Sequence, residues 1–292
     1  TRLPAAGTYF STNDFAAENG YQQNVQLGFT SNPDSDLAYL TNGLNNLADI
    51  YRANGFDKLY DNESIDEVTK ESVRLAMSKL YLAYSTKVAL KGKGNEGKIE
   101  PDDGGQYGFR LGFFLPELND TEIALYHVNY HSRRPLVSGR VSNFTEGSLL
   151  TDFGTLLDEK ITEDNIHKLN AFSLAKNEYP EDIKLYGLSF NTTIGETALA
   201  GEYTHRKDEP LQIDDVELLY AAMPEQLAAE GVNSELARPD FAGISQMSKG
   251  NDTTVVNPGN LAQGYIERDT SQIQFTATHL FGPSLGADSW AV

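Results

Sequence analysis

Hydrophobic residues fall at every second position in three pairs of segments along this chain. In GQYGFRLGFF, residues 105–114, Tyr107, Phe109, Leu111 and Phe113 share one parity. Gln106, Gly108, Arg110 and Gly112 share the other. A helix would scatter both sets around its axis, whereas a strand puts each on its own face. The pattern predicts a strand over 106–115, a turn at PELND, and a second strand over 121–130. In that second strand Ala124, Tyr126, Val128 and Tyr130 form the larger face, and Leu125, His127, Asn129 and His131 the other. A second pair, 183–193 and 198–206, flanks IGET. A third, 271–281 and 287–292, flanks GPSLG. Tyr186, Leu188, Phe190, Leu199, Tyr203, Ile273 and Phe275 supply the large positions; Gly187, Ser189, Glu202, Thr204, Gln274 and Thr276 alternate with them.

Between the pairs run long, polar, acidic connections over about 31–104, 132–181 and 207–269, expected to be partly helical. The clearest helix is predicted over 64–91. Ser64 and Glu67 have capping-box spacing, Val68, Leu75, Met77, Leu80 and Val88 form an apolar stripe, and Gly92 and Gly94 stop it. Weaker helical patterns start at Thr162 and Asp214, and Pro224 would kink the latter. Short turns alternating with long connections are the topology of outer-membrane barrels. Connections this long are uncommon in compact soluble domains unless functional. The expected fold is therefore all-β: an antiparallel up-and-down outer-membrane β-barrel, or a segment of one, spanning 1–292 with long helical loops. The competing fold is a soluble antiparallel sandwich with helical insertions. Six strands fall short of the roughly eight that close such a barrel. Both ends break off as though within strands, so the natural polypeptide is expected to be longer on both sides.

The chain has 292 residues, 42 of them acidic and 23 basic, for a net charge of −19. That excess disfavours nucleic-acid binding, which needs Lys and Arg for phosphate, and favours weak attraction of divalent cations. There is no cysteine, so disulfides and thiolate metal sites are excluded. No apolar run approaches the roughly 18 residues of a membrane helix, a test that barrel strands escape.

TRLPAAGTYFSTNDF (1–15), EYPEDIKLYGLSFNTTIG (178–195), PLQIDDVELLYAA (210–222) and FGPSLGAD (281–288) resemble a proteobacterial outer-membrane family, domain of unknown function 1302. The likeness touches both ends and the middle, and PEDIKLYGLSF is its most specific piece. The resemblance implies a β-barrel of the bacterial outer membrane, in contact with its lipid. It also implies a lipoprotein or an inner-membrane exporter of apolar compounds as partner. It supplies no catalytic residues.

His127 and His131 have the i, i+4 spacing of a helical metal pair, but on a strand they lie about 13 Å apart, too far to share an ion. Asp34 and Asp36 in SNPDSD, and Asp102 and Asp103 in EPDDGG, read as acidic turns, candidates for weak Ca²⁺ or Mg²⁺ binding. GLSFN and GISQM lack the second glycine of a nucleophile elbow. No enzyme is expected. Arg110, His127 and Glu202, with Gln274 and Thr276, are expected to form a polar belt lining a lumen. Phe109, Leu111, Tyr126, Leu188, Phe190 and Phe275 are expected to face lipid or a core. The expected function is passage or binding of a hydrophobic or amphipathic small molecule. The alternatives are an assembly protein whose β-segments pair between chains, and a secreted β-rich hydrolase.

Overall fold

The computed structural model describes residues 25–26, 33–55, 65–83, 88–91, 97–162, 165–222, 256–283 and 290–292. In chain order the first elements are β1 (Val25–Gln26), α1 (Pro33–Ala53), α2 (Glu67–Ala83), β2 (Val88–Lys91), β3 (Lys98–Ile99), β4 (Tyr107–Leu115) and β5 (Thr121–Tyr130). Then come β6 (Leu136–Arg140), α3 (Glu146–Asp158), β7 (Ser173–Glu178), β8 (Ile183–Ile194), β9 (Thr197–Gln212), α4 (Asp215–Ala222), β10 (Leu261–Ala262), β11 (Tyr265–Phe281) and β12 (Trp290–Ala291). The fold is mostly β-sheet, and most of the strand pairs are antiparallel. It divides into two compact units, one of Glu100–Pro135, Tyr179–Leu211 and Ile266–Val292, the other of Thr1–Ile99, Leu136–Glu178 and Gln212–Tyr265.

The first is a strand unit: one six-stranded sheet in the order β12-β11-β9-β8-β5-β4. Among the described residues this path is open at both ends. The β4–β5 turn is a 3-10 turn at Pro116–Leu118 followed by Asn119 and Asp120, both at φ 53°. Asn and Asp tolerate that left-handed backbone because their short polar side chains bond locally. Gly195, at φ 61°, makes the β8–β9 turn. Antiparallel pairing of β4 with β5, β5 with β8 and β8 with β9 puts both turns at one end of the sheet. β9 and β11 are longer than the alternation predicted, at 16 and 17 residues. Their extra residues form the ends furthest from the turns.

The second, helical unit gathers stretches of all three long connections around its own core. Its sheet runs β1-β2-β7-β6-β10, with β3 also on β7; β2 and β3 pair with β7 in parallel. Leu40 and Leu44 of α1, Val73 and Met77 of α2, Phe153 and Leu156 of α3, and Phe172 are buried together. The apolar stripe of α2 is Val73, Met77 and Tyr81, one side of a helix at four-residue spacing. The predicted stripe is corrected in part, since Val68 is 81 % and Leu75 43 % exposed. Asp66 caps α2 by accepting the Thr69 backbone N–H at 2.7 Å; Ser64, the predicted cap, lies outside the described residues. The helix ends at Ala83, and Val88–Lys91, predicted helical, form β2 instead. The pattern from Thr162 is not a helix either. It resolves into a 3-10 turn, Ile166–Lys168, and strand β7.

Buried polar groups pin this unit. Asn45 donates to the Ile161 carbonyl at 2.7 Å and accepts the Ile161 N–H at 2.9 Å, an amide matched to one backbone group on both sides. Glu178 accepts from Ser138 Oγ at 2.5 Å and from the Tyr265 hydroxyl at 3.1 Å. Ser138 Oγ in turn accepts the Gly264 N–H at 3.0 Å. Gly264 has no alternative there, because a Cβ would overlap the Val137 carbonyl oxygen.

Candidate functional site

The strand unit's sheet has two chemically distinct faces, and pairing register decides which residue belongs to each. Direct cross-strand partners point to the same side. Phe109 pairs with His127, His127 with Tyr186, and Tyr186 with His205. The next row towards the turns is Leu111, Leu125, Leu188 and Tyr203, and the one after is Phe113, Ile123, Phe190 and Gly201. This apolar face is open to solvent: Phe109 is 56 % exposed, Leu111 54 %, Phe275 62 % and Ile273 82 %. Phe190 lies over Gly201, where any Cβ would collide with its ring, and its centroid is 6.4 Å from that of Phe275. The Phe190 ring fills the gap that the glycine's missing side chain leaves.

The opposite face is polar and carries a hydrogen-bonded diagonal. Arg110 pairs across with Tyr126, and Ser189 with Glu202. The Arg110 Nε donates to the Tyr126 hydroxyl at 3.4 Å, and that hydroxyl shares a hydrogen bond with Ser189 Oγ at 3.0 Å. The guanidinium carbon stands 5.7 Å from the Tyr126 ring centroid, within cation–π range. Two glycines make room. A Cβ on Gly187 would come within 3.3 Å of the Tyr126 ring, and one on Gly112 within 2.9 Å of the Arg110 guanidinium.

Arg110 and Glu202 of the predicted belt therefore share a face. Ser271 bonds His205, and Phe275 meets Phe190, so both lie on the apolar face; alternation then gives Gln274 and Thr276 to the polar one. His127 does not belong to the belt. It lies on the apolar face, its ring 4.6 Å from Tyr186, 5.4 Å from Phe109 and 5.7 Å from Tyr107. Tyr126 is corrected in the other direction: expected among the lipid-facing residues, it sits on the polar face with its hydroxyl bonded. β5 is apolar on both sides, with Leu125 next to Tyr126, so its own pattern fixes no face and register alone does.

His131 is a structural clasp. Its Nδ1 accepts the Asp182 N–H at 3.1 Å, which leaves Nε2 to donate to the Gly104 carbonyl at 2.7 Å. Asp102 and Asp103 are exposed in the adjoining loop, where the Asp102 N–H donates to Glu181 at 2.8 Å. Asp34 and Asp36 lie on α1, behind Pro33, rather than in a turn, and their side chains are outside those described. Among the described residues no three His, Asp or Glu side chains group as a metal site. No described helix is long and apolar enough to cross a membrane, which says nothing of strands.

A family profile described as "Protein of unknown function (DUF1302)" matches residues 1–292. The chain belongs to that family. No curated protein and no solved structure matches it.

The helical unit of this DUF1302 chain holds a polar cleft of about 550 Å³ between α3, β6 and β7, lined by Arg140, Thr155, Asp158, Glu159, Lys168, Leu174 and Lys176. Lys168 pairs with Glu159 at 2.8 Å, and Arg140 Nη2 donates to the Leu169 carbonyl at 3.2 Å. On the buried side of α3, Asp152 is fully buried and accepts from the Asn170 and Ala171 backbone N–H groups, at 2.7 and 3.0 Å, and from the Asn170 side chain at 2.8 Å. Burial pushes its carboxyl up to about 6, against the pull of those three hydrogen bonds and of Arg140. Nothing in the alternating pattern marked Asp152 or this cleft. The one signal was an aspartate at a core-facing helical position.

Proposed function

We propose that this chain is a segment of an outer-membrane β-barrel that passes or binds a hydrophobic or amphipathic small molecule. The observation that carries the reading is the two-faced sheet. One face exposes Phe, Leu and Tyr, with no described residue of its own unit covering them; the other presents Arg110, Tyr126, Ser189 and Glu202. A water-soluble sheet buries its apolar face. A sheet that is greasy outside and polar inside is the arrangement for lipid around a hydrated lumen. β4, with nine residues, spans about 30 Å at 3.3 Å each, enough to cross the apolar band when tilted. The bacterial outer membrane is the proposed location, and its lipid the first partner. A lipoprotein or an inner-membrane exporter is the proposed source or recipient of the molecule.

The test is reconstitution. The chain, within its natural polypeptide, should show heat-modifiable gel migration in detergent and insert into liposomes. Arg110→Ala and Glu202→Gln should alter flux or binding of an amphipathic dye while leaving the migration shift intact. Loss of the migration shift in the unaltered protein would overturn the barrel. A second reading, assembly by strand pairing between chains, is favoured by the open edge of β4, where all nine residues are exposed. Regular polymers forming without detergent would support it.

A further inference from the structure

We infer that the apolar face ends, on the side away from the turns, in a binding row for the headgroup of a phosphate-bearing lipid. The inference rests on that face meeting lipid, as proposed above. Row by row, the face changes chemistry. Leu111, Leu125, Leu188 and Tyr203 give way to Phe109, His127, Tyr186 and His205, and these to Tyr107, Asn129, Lys184 and Lys207. The last two lysines are direct cross-strand partners. Like charges placed opposite each other destabilise a strand pair. Among the described residues one of them has an ion-pair partner: Lys184 Nζ lies 3.6 Å from Asp208 and donates to the Asp182 carbonyl at 3.4 Å. Lys207 is exposed, and Asn129 in the same row is buried, donating to Asp182 and the Gly105 carbonyl. The row therefore holds, at the border of an exposed aromatic belt, a second ammonium group that makes no ion pair among the described residues, with Asp269, which accepts the Asp208 N–H at 3.2 Å, as the carboxylate at its level on β11.

Charge along the strand unit points the same way. Arg133, Arg134, Lys184, Arg206, Lys207 and Arg268 all lie towards the end away from the turns. Around the two described turns, Glu117, Asp120, Glu122 and Glu196 are the charged residues, with no Lys or Arg. Carboxylates occur at both ends, so cations distinguish them. Two opposed ammonium groups just beyond an aromatic row suit an anionic phosphate held at the boundary between acyl chain and water. Tyr107 and Tyr186 would border the same level.

The test uses the natural polypeptide in phosphatidylcholine bilayers containing a minor fraction of phosphatidic acid, with co-purifying lipid read by native mass spectrometry. The expected result is enrichment of phosphatidic acid that falls about fivefold when either Lys184→Ala or Lys207→Ala is made, and roughly thirtyfold when both are. Lys184→Arg with Lys207→Arg should keep it. Inorganic phosphate should not compete; full displacement by it would make free phosphate the occupant and overturn the proposal. Normal insertion with undiminished enrichment in the double alanine variant would overturn this proposal alone. Failure of the unaltered protein to enter phosphatidylcholine bilayers would overturn the lipid-facing reading and this one with it.

Discussion

Asp152 concentrates the electrostatics of the helical unit in one side chain. Its carboxyl is raised from the usual 3.8 to about 6, first by desolvation. A raised acid pKa means that the folded state holds the proton more tightly than the unfolded chain. Its contribution to stability is therefore present below about pH 4, declines as pH rises, and is lost above about 6. In the unaltered protein, denaturant unfolding of the helical unit should show this fall between those two values. Asp152→Asn should remove the fall. At acid pH it should also cost about 1–3 kcal/mol, because the new amide N–H₂ faces the Asn170 and Ala171 donors and leaves one unpaired, and this gap should narrow as the unaltered protein loses stability towards pH 6. A variant that keeps the pH-dependent fall would assign it to another group. Tyr81, whose hydroxyl is buried beside this carboxylate, has its pKa raised by desolvation first and by the Asp152 charge second.

At the level of elements, the faces of the sheet decide what a substitution costs. Leu111 and Gly112 are neighbours on β4 that point to opposite sides. An arginine on a lipid face costs about 2–4 kcal/mol near the midplane and about 0–1 near the interface. Leu111→Arg, in the leucine row, should therefore impair insertion more than Phe109→Arg, in the row beside His127. Gly112→Ser should be mild, since its Cβ meets only the movable end of Arg110. Equal insertion yields for all three, measured by the migration shift, would mean that the apolar face does not meet lipid. These faces were largely legible in the sequence. The bounds of β5 were read correctly and those of β4 to within one residue, because large and small residues alternate cleanly in β4. The parity of β5 was not legible, since Leu125 and Tyr126 are both large and only pairing with Phe109 and Arg110 separates them. α1 was missed because SNPDSD reads as a turn, although Pro33 in the first helical turn is also a helix opener. The second sheet was missed because Ser138, Ser173 and Asn177 occupy buried strand positions and break the apolar alternation.

On the scale of the whole molecule, the chain passes back and forth between two units, each with its own sheet. The β4–β5 hairpin is local, whereas the helical unit needs three distant stretches before its core exists. Loop-closure entropy opposes such a core, so its stability depends on how well the buried side chains fit. Phe153 is the test residue. It is fully buried, edge-on to Tyr51 at 5.1 Å, and packed with α1 and α2. Phe153→Ala should cost roughly 3–5 kcal/mol there, a large share of the 5–15 typical of a domain. Proteolysis should then cut within 136–178, while the heat-modifiable shift of the strand unit persists. Leu111→Arg should give the mirror result, with insertion reduced and 136–178 still protected. If Phe153→Ala abolishes the shift as well, the two units unfold as one cooperative block, and the sheet depends on the helical core for its stability.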